Sequence, residues 1–328
     1  FSKKEKRKEY RLLAFVAKGK GIFKFLIVIG SLLTVLVIFL VSYVIFDSNI
    51  YDELYSKIEV TAHRGNSTVT MPNTIPAFKE AIKEGADYGE LDVRQTKDNV
   101  IVVTHDASLK EMTGQDINVR DLTYEELQKI PCIEVNGNKC TVPKLEDVIN
   151  VCKGKIKLNI EIKTGNNDSE DFVSDVVKII ENTDFVDKCV VTSLDYRALR
   201  KVKECNPKIK TGYIMAVAMG DFYDLPCVDF FRMETTFVNG RVVERAHKLN
   251  KEIHVWTVND DDSLKKCVEL EVDNIITDNV AGAKSAIATH GDDVFSIVLN
   301  QLKESDNSKE NIKKTNRILE DVTGIEGA

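Results

Sequence analysis

Hydrophobic positions fall into two regimes along the chain. Residues 25–46, FLIVIGSLLTVLVIFLVSYVIF, form a run of 22 residues without a charge. As a helix this run is about 33 Å long, enough for a hydrocarbon core of about 30 Å. A cleaved signal has a shorter apolar region, about 7–15 residues, followed by small side chains. Here the run closes on bulky Tyr43, Ile45 and Phe46, which predicts a retained transmembrane helix.

After residue 57 the pattern changes to short β-branched runs separated by amphipathic stretches. Strands are predicted at 58–62, 88–93, 157–162, 188–192, 209–214, 228–233, 253–257 and 273–277. Helices are predicted near 74–84, 168–182, 195–205, 239–250 and 260–270, and the link MAVAMGDFYDLP before residue 228 has only a weak helix signal. Alternating strand and helix means a parallel sheet, and eight such strands suggest an α/β fold closed as a (β/α)8 TIM barrel, over residues 58–290.

One strand breaks this rhythm. VIVVTH, 100–105, follows the strand ending at Val93 after only RQTKDN, too short for a parallel crossover of a dozen or more residues. It must run back as a hairpin with its turn near Lys97-Asp98-Asn99, which places His105 opposite positions 91–92. Residues 106–150 contain no barrel strand and are read as an insertion over the barrel mouth, with a short helix capped at Thr123 and another in VPKLEDVIN. The polar stretch 304–328 is expected to be a frayed or unstructured tail.

Charge sharpens this division. The net charge of −7 is made of nine Lys/Arg against Glu5 and Glu9 in residues 1–24, and 36 bases against 50 acids in the rest. The basic flank is expected in the cytoplasm and everything after Asp47 outside, giving a membrane-held protein with an extracytoplasmic catalytic domain. The acidic remainder argues against nucleic acid as a partner. Because the chain begins at Phe1, it reads as a fragment or processed product that leaves room for earlier membrane helices.

Seven cysteines contain no C-x-x-C pair and no metal-binding spacing. In CIEVNGNKC, a three-residue loop Val135-Asn136-Gly137 would set Cys132 opposite Cys140, where an oxidising compartment would permit a disulfide.

Barrel chemistry gathers at the carboxyl ends of the strands. There the chain offers His63 and Arg64, Glu90 and Asp92, Glu161 and Lys163, with His105 brought in by the hairpin. Glu90 and Asp92, at i and i+2, share one face of a strand. Three carboxylates at one mouth repel unless a cation lies among them, and oxygen-only ligation suits Mg²⁺ or Ca²⁺. A metal with cationic side chains stabilises charge on a phosphoryl group, and two imidazoles can serve as base and acid, which points to phosphodiester cleavage. Plainer readings stand beside this one. A lone strand-end His is more often structural, and Glu90 could simply pair with Lys163. Trp256 is either core or pocket wall, Glu234 either faces the mouth or is a solvated core edge, and His247, His254 and His290 read as structural or solvent-facing.

AHRG, NTIPAFKEAIKEGADYGELDVRQTKDNVIVVTHD, VPKLEDVI, NIEIK, VWTVND and VDNIITD, in this order from Val60 to Asp278, resemble the glycerophosphodiester phosphodiesterases. The resemblance implies a (β/α)8 barrel and metal-dependent hydrolysis of glycerophosphodiesters to glycerol 3-phosphate and an alcohol. It implies His63 and His105 as the acid–base pair, Arg64 as a phosphate contact with Lys163 near the phosphate, and Glu90, Asp92 and Glu161 as ligands of a divalent metal. Trp256 is taken with Arg64 and Lys163 as a candidate substrate-binding residue, and Ca²⁺ or Mg²⁺ as the expected ion. The alternatives are lysophospholipase D-like cleavage, or an inactive barrel that binds a head group or wall polymer. One departure is clear. Where the family usually has Pro-Glu-Asn-Thr, this chain has Met71-Pro72-Asn73-Thr74, losing an acid but keeping Thr74 to cap the next helix.

Overall fold

The computed structural model describes residues 34–36, 58–215 and 222–289. The chain divides into two compact units, Phe1–Leu54 and Tyr55–Ala328. Of the first, only Thr34, Val35 and Leu36 are described, helical and exposed, so the rest of the expected 25–46 helix lies outside the described residues. A membrane span needs about 20 consecutive apolar residues, and the helix Phe172–Asn182 has 11 residues with one polar face. Among the described residues no helix is long and apolar enough to cross a membrane. This corrects the expected membrane location, and with it the outward placement of the catalytic domain. The weak helix signal at 216–221, His290 and the 304–328 tail also lie outside the described residues.

The second unit is built on nine strands: β1 (Glu59–Ala62), β2 (Tyr88–Gln95), β3 (Ile101–Val103), β4 (Lys157–Ile162), β5 (Cys189–Ser193), β6 (Lys210–Met215), β7 (Phe230–Glu234), β8 (Glu252–Trp256) and β9 (Asn274–Thr277). All pair in parallel except β3, and the β1–β2 and β1–β9 pairings close the eight parallel strands into a barrel of the TIM type. The expected fold class is therefore right for the barrel. Helices α1 (Ile75–Lys83), α4 (Leu145–Cys152), α5 (Phe172–Asn182), α6 (Tyr196–Cys205), α7 (Gly240–Lys248) and α8 (Asp261–Glu269) follow strands in turn, and two short helices, α2 (Lys110–Thr113) and α3 (Tyr124–Leu127), lie between β3 and α4.

Strand alternation sorts the side chains into two layers. Outward-facing Leu91, Val93, Leu158, Ile160, Ile162, Val191, Phe231, Val255 and Ile275 join helix residues such as Phe78, Ile149, Ile180 and Leu199 in the main core, all essentially inaccessible. Inside the barrel, Tyr88, Val190 and Phe230 form a small apolar plug. Phe230 stacks on His254 with ring centroids 4.0 Å apart, and His254 Nε2 lies 3.1 Å from Glu252 Oε2. Gly212 makes room for this plug, since a Cβ there would lie 2.1 Å from the Phe230 ring. Below it, ion pairs join Lys157 to Glu59 and Lys210 to Glu252.

The hairpin forms as the spacing requires. β2 pairs with β3 antiparallel, Val93 against Val103 and Gln95 against Ile101, and Asn99 takes the turn's positive φ of 62°. β1 holds only Tyr88 and Gly89 of β2, whereas β3 takes the last three residues of the same strand. The insertion is shorter than expected. Its final helix, α4, packs on α1 as part of the barrel ring. The remainder buries Leu109, Met112, Val119, Leu127, Cys132 and Val142 with Met71 and Val102 in a separate apolar cluster. Thr123 caps α3 in a reciprocal capping box with Glu126.

Two local expectations fail. Thr74 stands at the start of α1 but its hydroxyl donates to the Met71 carbonyl (2.6 Å) instead of capping the helix. The Cys132–Cys140 loop is a two-residue Asn136-Gly137 turn, both residues at positive φ, bracketed by Val135 and Asn138. The Cys132 amide donates to the Cys140 carbonyl (2.9 Å), and both thiols are free.

Candidate active site

The chain leaves β1 through His63-Arg64-Gly65, a turn that only glycine can complete. Gly65 has φ 77°, and a Cβ there would lie 2.7 Å from the Ala77 Cβ and 2.8 Å from its backbone. Arg64 itself sits at φ 53°, which turns its amide onto Glu90 Oε2 (2.9 Å). Gly65→Ala is expected to destabilise the fold by roughly 2–4 kcal/mol through positive-φ strain and overpacking. At about 2–4 °C per kcal/mol for a domain of this size, a melt within about 2 °C of wild type would contradict it.

Glu90 and Asp92 on β2 and Glu161 on β4 all face the barrel interior and are buried. Each offers an oxygen within 4.8 Å of the others'. Asn73, at φ 60°, braces this set by donating its Nδ2 to Asp92 Oδ2 (2.9 Å) and accepting the Asp92 amide on Oδ1 (3.3 Å). Lys163 Nζ lies 3.2 Å from Asp92 Oδ1 and 2.5 Å from Glu161 Oε1. Arg64 Nε is 3.7 Å from Asp92 Oδ2, and its Nη1 is 3.9 Å from Glu111 of α2. Glu111 shares a small pocket with Arg64, Pro72, Asn73 and His105, so an acid from the insertion stands near the place where Pro72 supplies none.

The donor set fits a divalent cation. All three groups are carboxylates converging on one point, and Asp92 Oδ1 is buried without accepting a hydrogen bond. Burial pushes Glu90 up, but the charges of Arg232, His63 and Lys163, with the Arg64 amide, outweigh it and hold the carboxyl at about 2. Glu161 goes the other way, raised by burial and by the charges of Asp92 and Glu90.

His63 lies on the same rim, near enough for its charge to act on Glu90. Its Nδ1 is 2.9 Å from Asp278 Oδ1, which leaves Nε2 free of that contact. Asp278 in turn accepts from Ser67 Oγ (2.9 Å) and Asn259 Nδ2 (2.6 Å), so the VWTVND and IITD segments together fix one imidazole. The hydrogen bond with His63 and those from Asn259 and Ser67 hold Asp278 at about 2, against burial. A lowered folded-state pKa stabilises the protein above the unfolded value of 3.8 and loses that contribution as pH falls toward about 2. The melting-temperature gap between wild type and Asp278→Asn is therefore expected at neutral pH and should close between those two values. A gap that stays constant down to the acid end would refute this.

His105 lies just past β3. Its Nδ1 is 2.9 Å from Asp106 Oδ1, its carbonyl accepts from Arg94 Nε (2.8 Å), and its ring makes no hydrogen bond to the acids. The hairpin thus brings it to the rim, in the pocket with Arg64, and not onto Glu90 or Asp92. Trp256 ends β8 with the Arg232 guanidinium 5.4 Å from its ring centroid, next to the acids. The Glu234 side chain accepts from the Thr236 amide (3.2 Å), capping a short turn. His247 pairs with Asp273 (2.8 Å) on the outer surface.

Two groups escaped the sequence reading. Asp278 was visible only as the last residue of a strand-end motif, and nothing in its spacing marks it as a partner of His63. Arg232 sits inside FFRME, where the alternation does place it on the barrel-facing side between two large apolar neighbours. An arginine at such a position was the available signal.

Comparison with known proteins shows the family of the chain. The model of the glycerophosphoryl diester phosphodiesterase family matches residues 63–281. A glycerophosphodiester phosphodiesterase of Caldanaerobacter subterraneus subsp. tengcongensis is 31% identical over 230 residues, 68% of this chain and 95% of that protein. A Mus musculus lysophospholipase D is 26% identical over 258 residues, 66% of this chain and 82% of its own length. Among solved structures, an Oleispira antarctica phosphodiesterase in complex with the product sn-glycerol-3-phosphate has a TM-score of 0.66 at 23% identity, covering 72% of this chain and 99% of that one. At that identity the likeness shows the fold.

Proposed function

The chain belongs to the glycerophosphoryl diester phosphodiesterase family, and from that premise we propose that it hydrolyses glycerophosphodiesters at the barrel mouth with two histidines and a divalent ion. It is a phosphoric diester hydrolase. The observation that carries the mechanism is the convergence of Glu90, Asp92 and Glu161, buried and within 4.8 Å, beside the Asp278-braced His63.

Glu90, Asp92 and Glu161 would hold Ca²⁺ or Mg²⁺. When bound, such an ion neutralises charge that builds on the phosphoryl oxygens. Arg64 and Lys163 face the same centre and supply permanent positive charge for the phosphate. Asp278 keeps the Nδ1 proton of His63 engaged, so that Nε2 is presented to the reacting atoms. His63 and His105 then divide the proton transfers. As an oxygen nucleophile adds to phosphorus, one imidazole takes its proton. As the P–O bond to the alcohol breaks, the other returns a proton to the departing oxygen.

Glycerophosphocholine supplied to the purified full chain with Mg²⁺ or Ca²⁺ is expected to yield glycerol 3-phosphate and choline. Absence of glycerol 3-phosphate from a panel of glycerophosphodiesters with either ion would overturn the assignment. Lysophospholipids are the second substrate class, favoured by the Mus musculus relative, and relative turnover of acylated and deacylated substrates separates the two.

A further inference from the structure

Arg232 is the most deeply enclosed cation of the site. It is 2% exposed, faces the barrel interior from β7, and donates from Nη1 to both Glu90 Oε1 (2.9 Å) and Glu161 Oε2 (2.8 Å). Its Nε is buried and donates to nothing, and the flat guanidinium lies against Trp256. Lys163 and Arg64 approach the acids from the rim, where both remain partly accessible. Arg232 differs because no water can replace it and because a guanidinium does not give up its proton. Its charge is a fixed component of the acidic centre.

A buried guanidinium is tolerated only when well-placed acids compensate it. Here the compensating acids are two of the three groups that converge to hold a divalent ion. The same contact therefore has two effects. It clamps Glu90 and Glu161 together despite their mutual repulsion, and it places a positive charge directly beside the point at which a second cation would sit.

We propose that Arg232 is the resident counter-cation of the triad, a positioning residue that keeps Glu90 and Glu161 aligned and weakens the site's hold on a divalent ion. This rests on the proposed metal-binding role of the triad. The ion then exchanges readily, and the enzyme works only where the surrounding Ca²⁺ or Mg²⁺ is high enough to fill the site.

The test is titration calorimetry of chelator-treated full chain with MgCl₂ and CaCl₂, on wild type, Arg232→Met and Arg232→Lys. Trp256, the only tryptophan, lies against Arg232 and gives a parallel fluorescence signal. Removing one unit charge beside the ion is expected to tighten binding by about tenfold or more in Arg232→Met. Arg232→Lys, which keeps a positive charge at the position, should bind the ion more weakly than Arg232→Met and closer to wild type. Affinity in Arg232→Met equal to or weaker than wild type overturns the proposal while leaving the metal site intact. Failure of both proteins to bind either ion overturns the proposal together with the metal-binding role. Should Arg232→Met unfold in chelator, refolding on addition of either ion supports the proposal, and failure to refold at any ion concentration overturns it.

Discussion

His63→Ala is expected to lower turnover of glycerophosphocholine by about a thousandfold or more, while its melting temperature falls only by about as much as that of Asp278→Asn. The loss should be large because the imidazole is held from behind by Asp278, itself fixed by Ser67 and Asn259, so its free edge is aimed before substrate arrives. Preorganisation of this kind is what removing the ring forfeits. The melt should lose only the Asp278 contact, because His63 lies just past β1 and outside the main apolar core. Steady-state assays of His63→Ala beside Asp278→Asn provide the check. The second variant keeps the ring but loosens its tether, and an intermediate loss is expected. Turnover in His63→Ala within tenfold of wild type would remove His63 from the reaction.

Chelation is expected to have a comparable effect. Dialysis of the full chain against EDTA should reduce release of glycerol 3-phosphate by about a thousandfold, and added Mg²⁺ or Ca²⁺ should restore it. Asp92→Asn should do the same without being rescued by ion. Asp92 is the informative position because it is the one carboxylate of the three that Arg232 does not engage, Asn73 and Lys163 holding it instead. The substitution keeps the Asp92 backbone amide bonded to Asn73, so the strand should stay in place. Full activity in EDTA, or an Asp92→Asn enzyme as active as wild type, would eliminate ion-assisted hydrolysis.

Short β-branched runs separated by amphipathic helical stretches made the barrel legible, because parallel strands are buried on both faces and read as near-continuous apolar runs. The hairpin was legible too, since six residues leave a strand no way to return except antiparallel. That geometry carried His105 to the rim, but not to the acids. Register fixes where a residue's backbone lies, while its side chain follows local partners, here Asp106. Thr74 shows the same limit, as its hydroxyl found the Met71 carbonyl before any helix amide. Arg232 and Asp278 were hidden for another reason. Each acquires meaning only through residues more than 70 positions away, and no local pattern encodes such a meeting.

The uneven edge of β2 has a further consequence. β1 covers its first two residues and β3 its last three, so the strand leaves the ring and becomes the root of a second, separately filled apolar cluster. That cluster supplies Met112 to the pocket around His105, where Glu111 stands beside it, yet it shares no side chain with the main core. Substitutions inside that cluster are therefore expected to reshape the wall of this pocket while leaving the packing of the main core unchanged.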